Sequence, residues 1–248
     1  MAIKPRYLIK ILPIFLSLFV STVYSNSSID EETTAEKIEV KDMSMIIIGA
    51  SYARGWQVKE ISCLEVINKG IGGEQSFETL ARFEKDAIQP RPDAILIWGF
   101  INDLHRNPKE DIDNTKQRAI DSITKMVEIS ITQGITPILA TEVTMGVSRS
   151  LKWKIMSYIG ELRGKQSYQG FINSNVLDVN NHLRKLAKEK NILLIDIEKV
   201  MTNEAGERKE GFAQVDGSHI TEHAYNELSA YALPILERAL VSSKQLCN

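Results

Sequence analysis

Four short segments, far apart in the chain, carry groups from which acyl transfer can be built. Ser51 follows Gly49-Ala50 at the end of an apolar run. A serine at the tip of a buried strand, beside a helix start, can point its hydroxyl into a cleft where backbone N–H groups face a forming oxyanion. The competing role for Ser51 is a helix N-cap. Asn68-Lys69-Gly70-Ile71-Gly72-Gly73-Glu74 offers glycines that permit a tight turn and close backbone approach, and it lacks the Gly-Lys-Ser/Thr of a phosphate loop. Asn102-Asp103 follows Gly99-Phe100-Ile101, and an asparagine amide is a neutral donor that does not compete as a base. Capping the next turn is the alternative for Asn102 or Asp103. Asp216-Gly217-Ser218-His219 spaces a carboxylate three residues from an imidazole. A tight turn there brings the acid to Nδ1 and leaves Nε2 free to take a proton from a serine. An ordinary helix entry capped by Asp216 or Thr221 is the plainer reading.

The other histidines fit less well. His105 lies just past Asn102 and could line the pocket, though a loop residue is the plainer reading, and His182 sits on a predicted helix. His219 and His223 are four apart, a spacing that can ligate metal on a helix. No HExxH and no third ligand accompany them, so no metal is expected.

The elements that must position these groups alternate in type. Met45-Ile46-Ile47-Ile48-Gly49 is a continuous apolar run ending in glycine, as in a strand buried on both faces. Leu64 to Asn68, Ala94 to Trp98, Ile135 to Thr141 and Ile192 to Asp196 read as further strands. Helical periodicity spans Phe77 to Ile88, about Asn114–Gln133, about Asn175–Lys190 and about Glu222–Leu240. Strands separated by helices of this length demand parallel pairing through crossovers, hence a three-layer α/β/α sandwich. Ligands of such sheets bind outside the carboxyl ends of the strands, where the polar segments cluster. The stretch 144–174 shows no strand pattern. Trp153, Ile155, Met156, Tyr158 and Ile159 make part of it amphipathic, which suits a packed surface helix or a lid beside the site.

The remaining residues set the context. Lys4, Arg6 and Lys10 precede an apolar run from Ile11 to Val23 that Pro13 interrupts and that is shorter than a membrane span. Residues 1–25 read as a signal peptide cut after Ser25, which implies export to a periplasm or beyond with no stable membrane anchor afterwards. Removing them takes away three positive charges and no negative one, moving the formal net charge from −2 to −5. That balance offers no basic surface for nucleic acid. Residues 26–42 are Ser/Thr- and Glu-rich and read as a spacer before one domain at 43–248. Cys63 and Cys247 can pair in an oxidising compartment, or remain a buried thiol and a tail cysteine.

Taken together and in this order, the four segments resemble the blocks of the SGNH, or GDSL-like, hydrolase superfamily. Gly49-Ala50-Ser51 resembles the first block, Asn68 to Gly73 the second, Asn102-Asp103 the third and Asp216 to His219 the last, over residues 44–240. Ala50 stands where the family usually has aspartate, and Phe100-Ile101 displace the third block's glycine by one position. The resemblance implies a flavodoxin-like, five-stranded parallel sheet. It implies Ser51, His219 and Asp216 as catalytic residues, and Ser51, Gly73 and Asn102 as oxyanion donors, with Gly72 the competitor of Gly73. The resemblance implies no metal or organic cofactor, and as substrate a small-molecule ester, either a lipid or an acetylated sugar. An acyltransferase with the same residues, or an inactive binding module, shares the pattern.

Overall fold

The computed structural model describes residues 43–146, 167–204 and 206–241. The apolar runs form strands where expected: β1 (Met43–Gly49), β3 (Leu64–Gly70), β4 (Ala94–Trp98), β5 (Thr136–Ala140) and β6 (Leu193–Ile195). A two-residue strand, β2 (Glu60–Ile61), adds an antiparallel edge to β3 through a turn at Ser62. Sheet order is β2-β3-β1-β4-β5-β6. Apart from β2, the five parallel strands follow the order 2-1-3-4-5, the flavodoxin-like arrangement.

The uninterrupted apolar character of β1 and β4 has a direct cause. Both lie in the middle of the sheet, and Met45 to Ile48 and Ala94 to Trp98 are all buried. Each fully buried Ile or Leu contributes about 1.5–3 kcal/mol over leaving it in water.

Helices flank the sheet: α1 (Ser51–Gly55), α2 (Ser76–Ala81), α3 (Ile101–Arg106), α4 (Ile112–Thr132), α5 (Tyr168–Lys190), α6 (Ile197–Met201) and α7 (Glu222–Leu240). A π-turn at Glu84–Ile88 continues from α2, so the single predicted helix is in fact two pieces. α5 starts seven residues earlier than its periodicity suggests, capped by Ser167, whose hydroxyl accepts from the Gly170 N–H. The C-terminal end of the 144–174 stretch is therefore the first turns of a core helix. Trp153, Ile155, Met156, Tyr158 and Ile159, on which the lid question turns, lie outside the described residues. So do the signal and spacer segments. Cys63 is disulfide-bonded, and Cys247 lies outside the described residues.

At its carboxyl edge the sheet brings together the loops after β1, β3 and β4. Gly49 pairs with both Gly70 and Trp98, so Ser51, the glycine turn and the start of α3 begin from adjacent points.

Candidate active site

Ser51 is the first residue of α1. The N-cap is Ala50, and no side chain caps the helix, so the serine is not spent on capping. Its hydroxyl and its backbone N–H have no hydrogen-bond partner among the described residues. Gly49 makes this tip possible. A Cβ there would stand 1.7 Å from the Trp98 carbonyl oxygen, and its φ is +150°. Only glycine lets β1 and β4 close to this distance just before the serine. Behind it, Ala53 and Trp56 are buried, and the Trp56 indole donates to Ser229 on α7 at 2.9 Å.

The second segment is stapled to the first. The Asn68 amide donates to the carbonyls of Ala53 and Trp56 and accepts from the Gly70 N–H. Asn68 therefore binds β3 to α1. The Ile71 N–H then reaches the Gly49 carbonyl at 2.9 Å. Gly73 has φ +84°, a left-handed conformation that favours glycine, and a Cβ on it would meet nothing within 4 Å. It thus faces open space, and its N–H lacks an acceptor among the described residues. A Cβ on Gly72 would meet the Arg54 guanidinium at 2.9 Å. The turn is held by Glu74, whose carboxylate takes the Arg82 guanidinium at 2.7–2.9 Å and the Thr79 hydroxyl at 3.0 Å.

Asn102 lies in α3 and donates to the Glu74 carbonyl at 2.9 Å, which fixes its side chain beside the glycine turn. Asp103, its neighbour, turns inward. It accepts from the Ser76 N–H and hydroxyl, both at 2.8 Å, and so holds the start of α2. Burial pushes its carboxyl above the usual range, and the Ser76 bonds only partly offset this.

The last segment is a tight turn. Asp216 Oδ1 accepts from the N–H groups of Ser218 and His219 at 2.9 and 3.0 Å, and Oδ2 meets His219 Nδ1 at 2.5 Å. Partial burial pushes the Asp216 carboxyl up. The bonds from the imidazole and the two N–H groups outweigh that and leave it below the ordinary carboxylate value. The carboxylate therefore stays ionised and orients the ring. The cap of α7 is Thr221, which accepts from the Ala224 N–H.

This turn meets the serine helix through the residues next to each. Tyr52 Oη donates to the Ser218 carbonyl at 2.8 Å, and the Tyr52 and His219 rings sit edge to face with centroids 6.5 Å apart. The Ser51 hydroxyl makes no hydrogen bond to His219 in this structure.

Residues 49–226 match the GDSL-like lipase/acylhydrolase family. The chain belongs to that family. No curated protein matches it. Among solved structures, a GDSL-like lipase from Bacteroides thetaiotaomicron is 18% identical with a TM-score of 0.59, covering 81% of this chain and 90% of its own. A lipase/acylhydrolase from Enterococcus faecalis is 20% identical with a TM-score of 0.56, covering 80% and 97%. An acetyl xylan esterase from Geobacillus stearothermophilus is 16% identical with a TM-score of 0.54, covering 77% and 93%. At these identities the likeness is one of fold. Membership of an acylhydrolase family supports ester hydrolysis as the general activity.

In this GDSL-like chain two further ionisable side chains are buried, and neither belongs to the four segments read from the sequence. Glu142, fully buried just past β5, accepts from the N–H groups of Phe100 and Ile101 at 3.0 and 3.3 Å and from Val143 at 3.1 Å. It thereby holds the backbone immediately before Asn102. Burial pushes its carboxyl up, and these bonds and the Arg208 charge counter that only in part. Arg208 donates to the Ser218 carbonyl at 2.6 Å and to Tyr52 Oη at 3.3 Å, behind the histidine turn. Its one sequence signal is a charged residue in a loop, which is usually solvated. Glu142 carries a stronger hint, an acid directly after a buried strand. His105 is half-buried on α3, with Nδ1 3.0 Å from the Tyr168 hydroxyl, and burial lowers its pKa. His223 packs edge to face against Phe212. His182 lies within α5.

Proposed function

We propose that this acylhydrolase is an exported serine esterase in which Ser51 attacks and His219 acts as its base. The observation that carries the reading is the Asp216–His219 pair on a turn tied to Tyr52, one residue from a serine with an uncommitted hydroxyl. Serine–histidine contacts in ligand-free enzymes are commonly loose and tighten with substrate.

His219 takes the Ser51 proton through Nε2 as the oxygen bonds to the ester carbonyl carbon. Asp216 holds Nδ1–H and stabilises the imidazolium. Negative charge on the former carbonyl oxygen is met by the N–H groups of Ser51 and Gly73, both without acceptors among the described residues, and by the Asn102 amide, which has a second hydrogen left after bonding Glu74. The tetrahedral species collapses, His219 protonates the departing alcohol, and water repeats the sequence on the acyl-enzyme to release the acid. The substrate is an ester of a lipid, a small alcohol or an acetylated sugar. The N-terminal charges and apolar run, and the disulfide at Cys63, support export.

A fluorophosphonate probe tests the nucleophile. It is expected to label the wild type at Ser51, located by peptide mass spectrometry, while Ser51→Ala takes no label and hydrolyses no p-nitrophenyl acetate. Hydrolysis by Ser51→Ala at the wild-type rate rejects the mechanism. N-terminal sequencing of the exported protein tests cleavage after Ser25.

A further inference from the structure

Two cations stand on the turn that carries Gly73. Arg54 is exposed and lies three residues after Ser51 in α1, a spacing that puts the two on one side of the helix. Its guanidinium lies against Gly72: a Cβ there would be 2.9 Å from Cζ and Nη1 and 3.0 Å from Nη2. Gly72 has no positive φ, so the lack of a side chain serves the arginine rather than the backbone. Arg54 makes no ion pair among the described residues. One residue further along the turn, Arg106 donates to the Gly73 carbonyl at 2.6 Å and stands 3.9 Å from Glu78, with its side chain 55% exposed.

Among the described residues, Glu74, Glu78 and Asp216 are already engaged. Glu74 is taken by Arg82 and Thr79, Glu78 by the Gln75 N–H, and Asp216 by His219. What remains is an open positive charge beside the serine on a chain whose formal net charge is −2. An exposed arginine with no carboxylate partner among the described residues, held flat on a glycine, is prepared for the planar, two-oxygen contact that a guanidinium makes with carboxylate or phosphate.

We propose that Arg54, assisted by Arg106, recognises an anionic group on the substrate, so that the enzyme prefers esters carrying a carboxylate or phosphate close to the scissile bond. The inference rests on the esterase reading above. It adds a substrate class to it.

The test uses matched pairs of acetyl esters that differ in one charge: O-acetylated methyl glucuronoside against O-acetylated methyl glucoside, and acetylated glycerol 3-phosphate against acetylated glycerol. The readout is the ratio of kcat/KM, charged over neutral, so any general loss of activity divides out. The wild type is expected to favour the anion by about tenfold in at least one pair, and the pair showing it identifies the anion's source. Arg54→Met is expected to bring that ratio near one, Arg54→Lys to keep part of it, and Gly72→Ala to lower it by displacing the guanidinium. Added 0.5 M salt should also lower it. A wild-type ratio near one in both pairs overturns the inference and leaves the esterase reading standing, as does an unchanged ratio in Arg54→Met. Failure to hydrolyse any of the four esters by an enzyme that still cleaves p-nitrophenyl acetate overturns the inference alone; failure on p-nitrophenyl acetate with no fluorophosphonate label at Ser51 removes the esterase reading, and this inference with it.

Discussion

The hydroxyl of Tyr52 donates a 2.8 Å hydrogen bond to the carbonyl of Ser218, joining the residue after Ser51 to the residue before His219. Tyr52 is 2% exposed, and burial pushes its hydroxyl up, so it remains a donor at every working pH. The bond links the helix that presents the serine to the turn that presents the histidine. Positioning of this kind governs rate steeply, because small misplacements of reacting groups are costly.

Tyr52→Phe removes that donor and the acceptor that Arg208 Nη2 meets at 3.3 Å. Arg208 continues to satisfy the Ser218 carbonyl at 2.6 Å, so the loss of stability is expected near 1 kcal/mol, read from a urea melt. The kcat for p-nitrophenyl acetate is expected to fall about tenfold with little change in KM. Because Tyr52 and Arg208 share one acceptor, the double variant with Arg208→Met should lose less than the two single losses multiplied. Full additivity would show that the tyrosine does not act through the histidine turn.

The buried Glu142 sets a pH dependence. Its folded pKa lies above the ordinary value, so between the unfolded and folded values the native state holds the extra proton, and stability falls as pH rises through that window. Arg208 opposes the shift. Arg208→Met removes a cation that lowers the Glu142 pKa, together with its hydrogen bond to the Ser218 carbonyl, and is expected to lower the Tm. Removing the cation raises the folded pKa further and widens the window. The Tm deficit of Arg208→Met is therefore expected to shrink as the pH is lowered from 8 to 4.5. Parallel Tm curves for variant and wild type would rule this account out.

Two glycines that look alike in sequence should respond in opposite ways. Gly49→Ala places its Cβ 1.7 Å from the Trp98 carbonyl and is expected to prevent folding to soluble protein. Gly73→Ala meets nothing within 4 Å, so it costs only the left-handed conformation, about 1–2 kcal/mol. It should fold, as judged by circular dichroism, and lose activity because the methyl group enters the open space over the turn.

The sequence makes the sheet legible and the loops only partly so. β1 and β4 are unbroken apolar runs because both faces of the central strands are covered. β2 is invisible because two residues carry no period. α3 reads as an acidic loop because its inward residue is an aspartate: Asp103 is paid for by Ser76, a partner 27 residues away that no local pattern reveals. The early start of α5 is hidden by Gly170, Asn173 and Ser174, which read as loop residues, although Asn173 bonds the Met145 backbone and belongs to the helix. Ser51, Gly73, Asn102, Asp216 and His219 could be singled out as candidates because each lies just past a strand or shortly before the last helix. Tyr52, Glu142 and Arg208 could not, since their roles exist only once distant loops meet.

Asn102 gives the sharpest test of the oxyanion assignment. Its side chain is fixed by one bond to the Glu74 carbonyl, and the backbone before it is held by Glu142 through Phe100 and Ile101. Truncation therefore removes a placed donor without unseating α3. Asn102→Ala is expected to lower kcat by about 10²–10³, or ~3–4 kcal/mol, as for loss of one oxyanion donor. KM should change little, because the donor matters most when charge develops. Asn102→Asp keeps the shape but presents a carboxylate to a forming negative charge, so it should be at least as damaging at pH 8 and should recover as the pH falls and the acid is protonated. Equal kcat for wild type and Asn102→Ala, or an Asn102→Asp profile without that recovery, would place the oxyanion elsewhere.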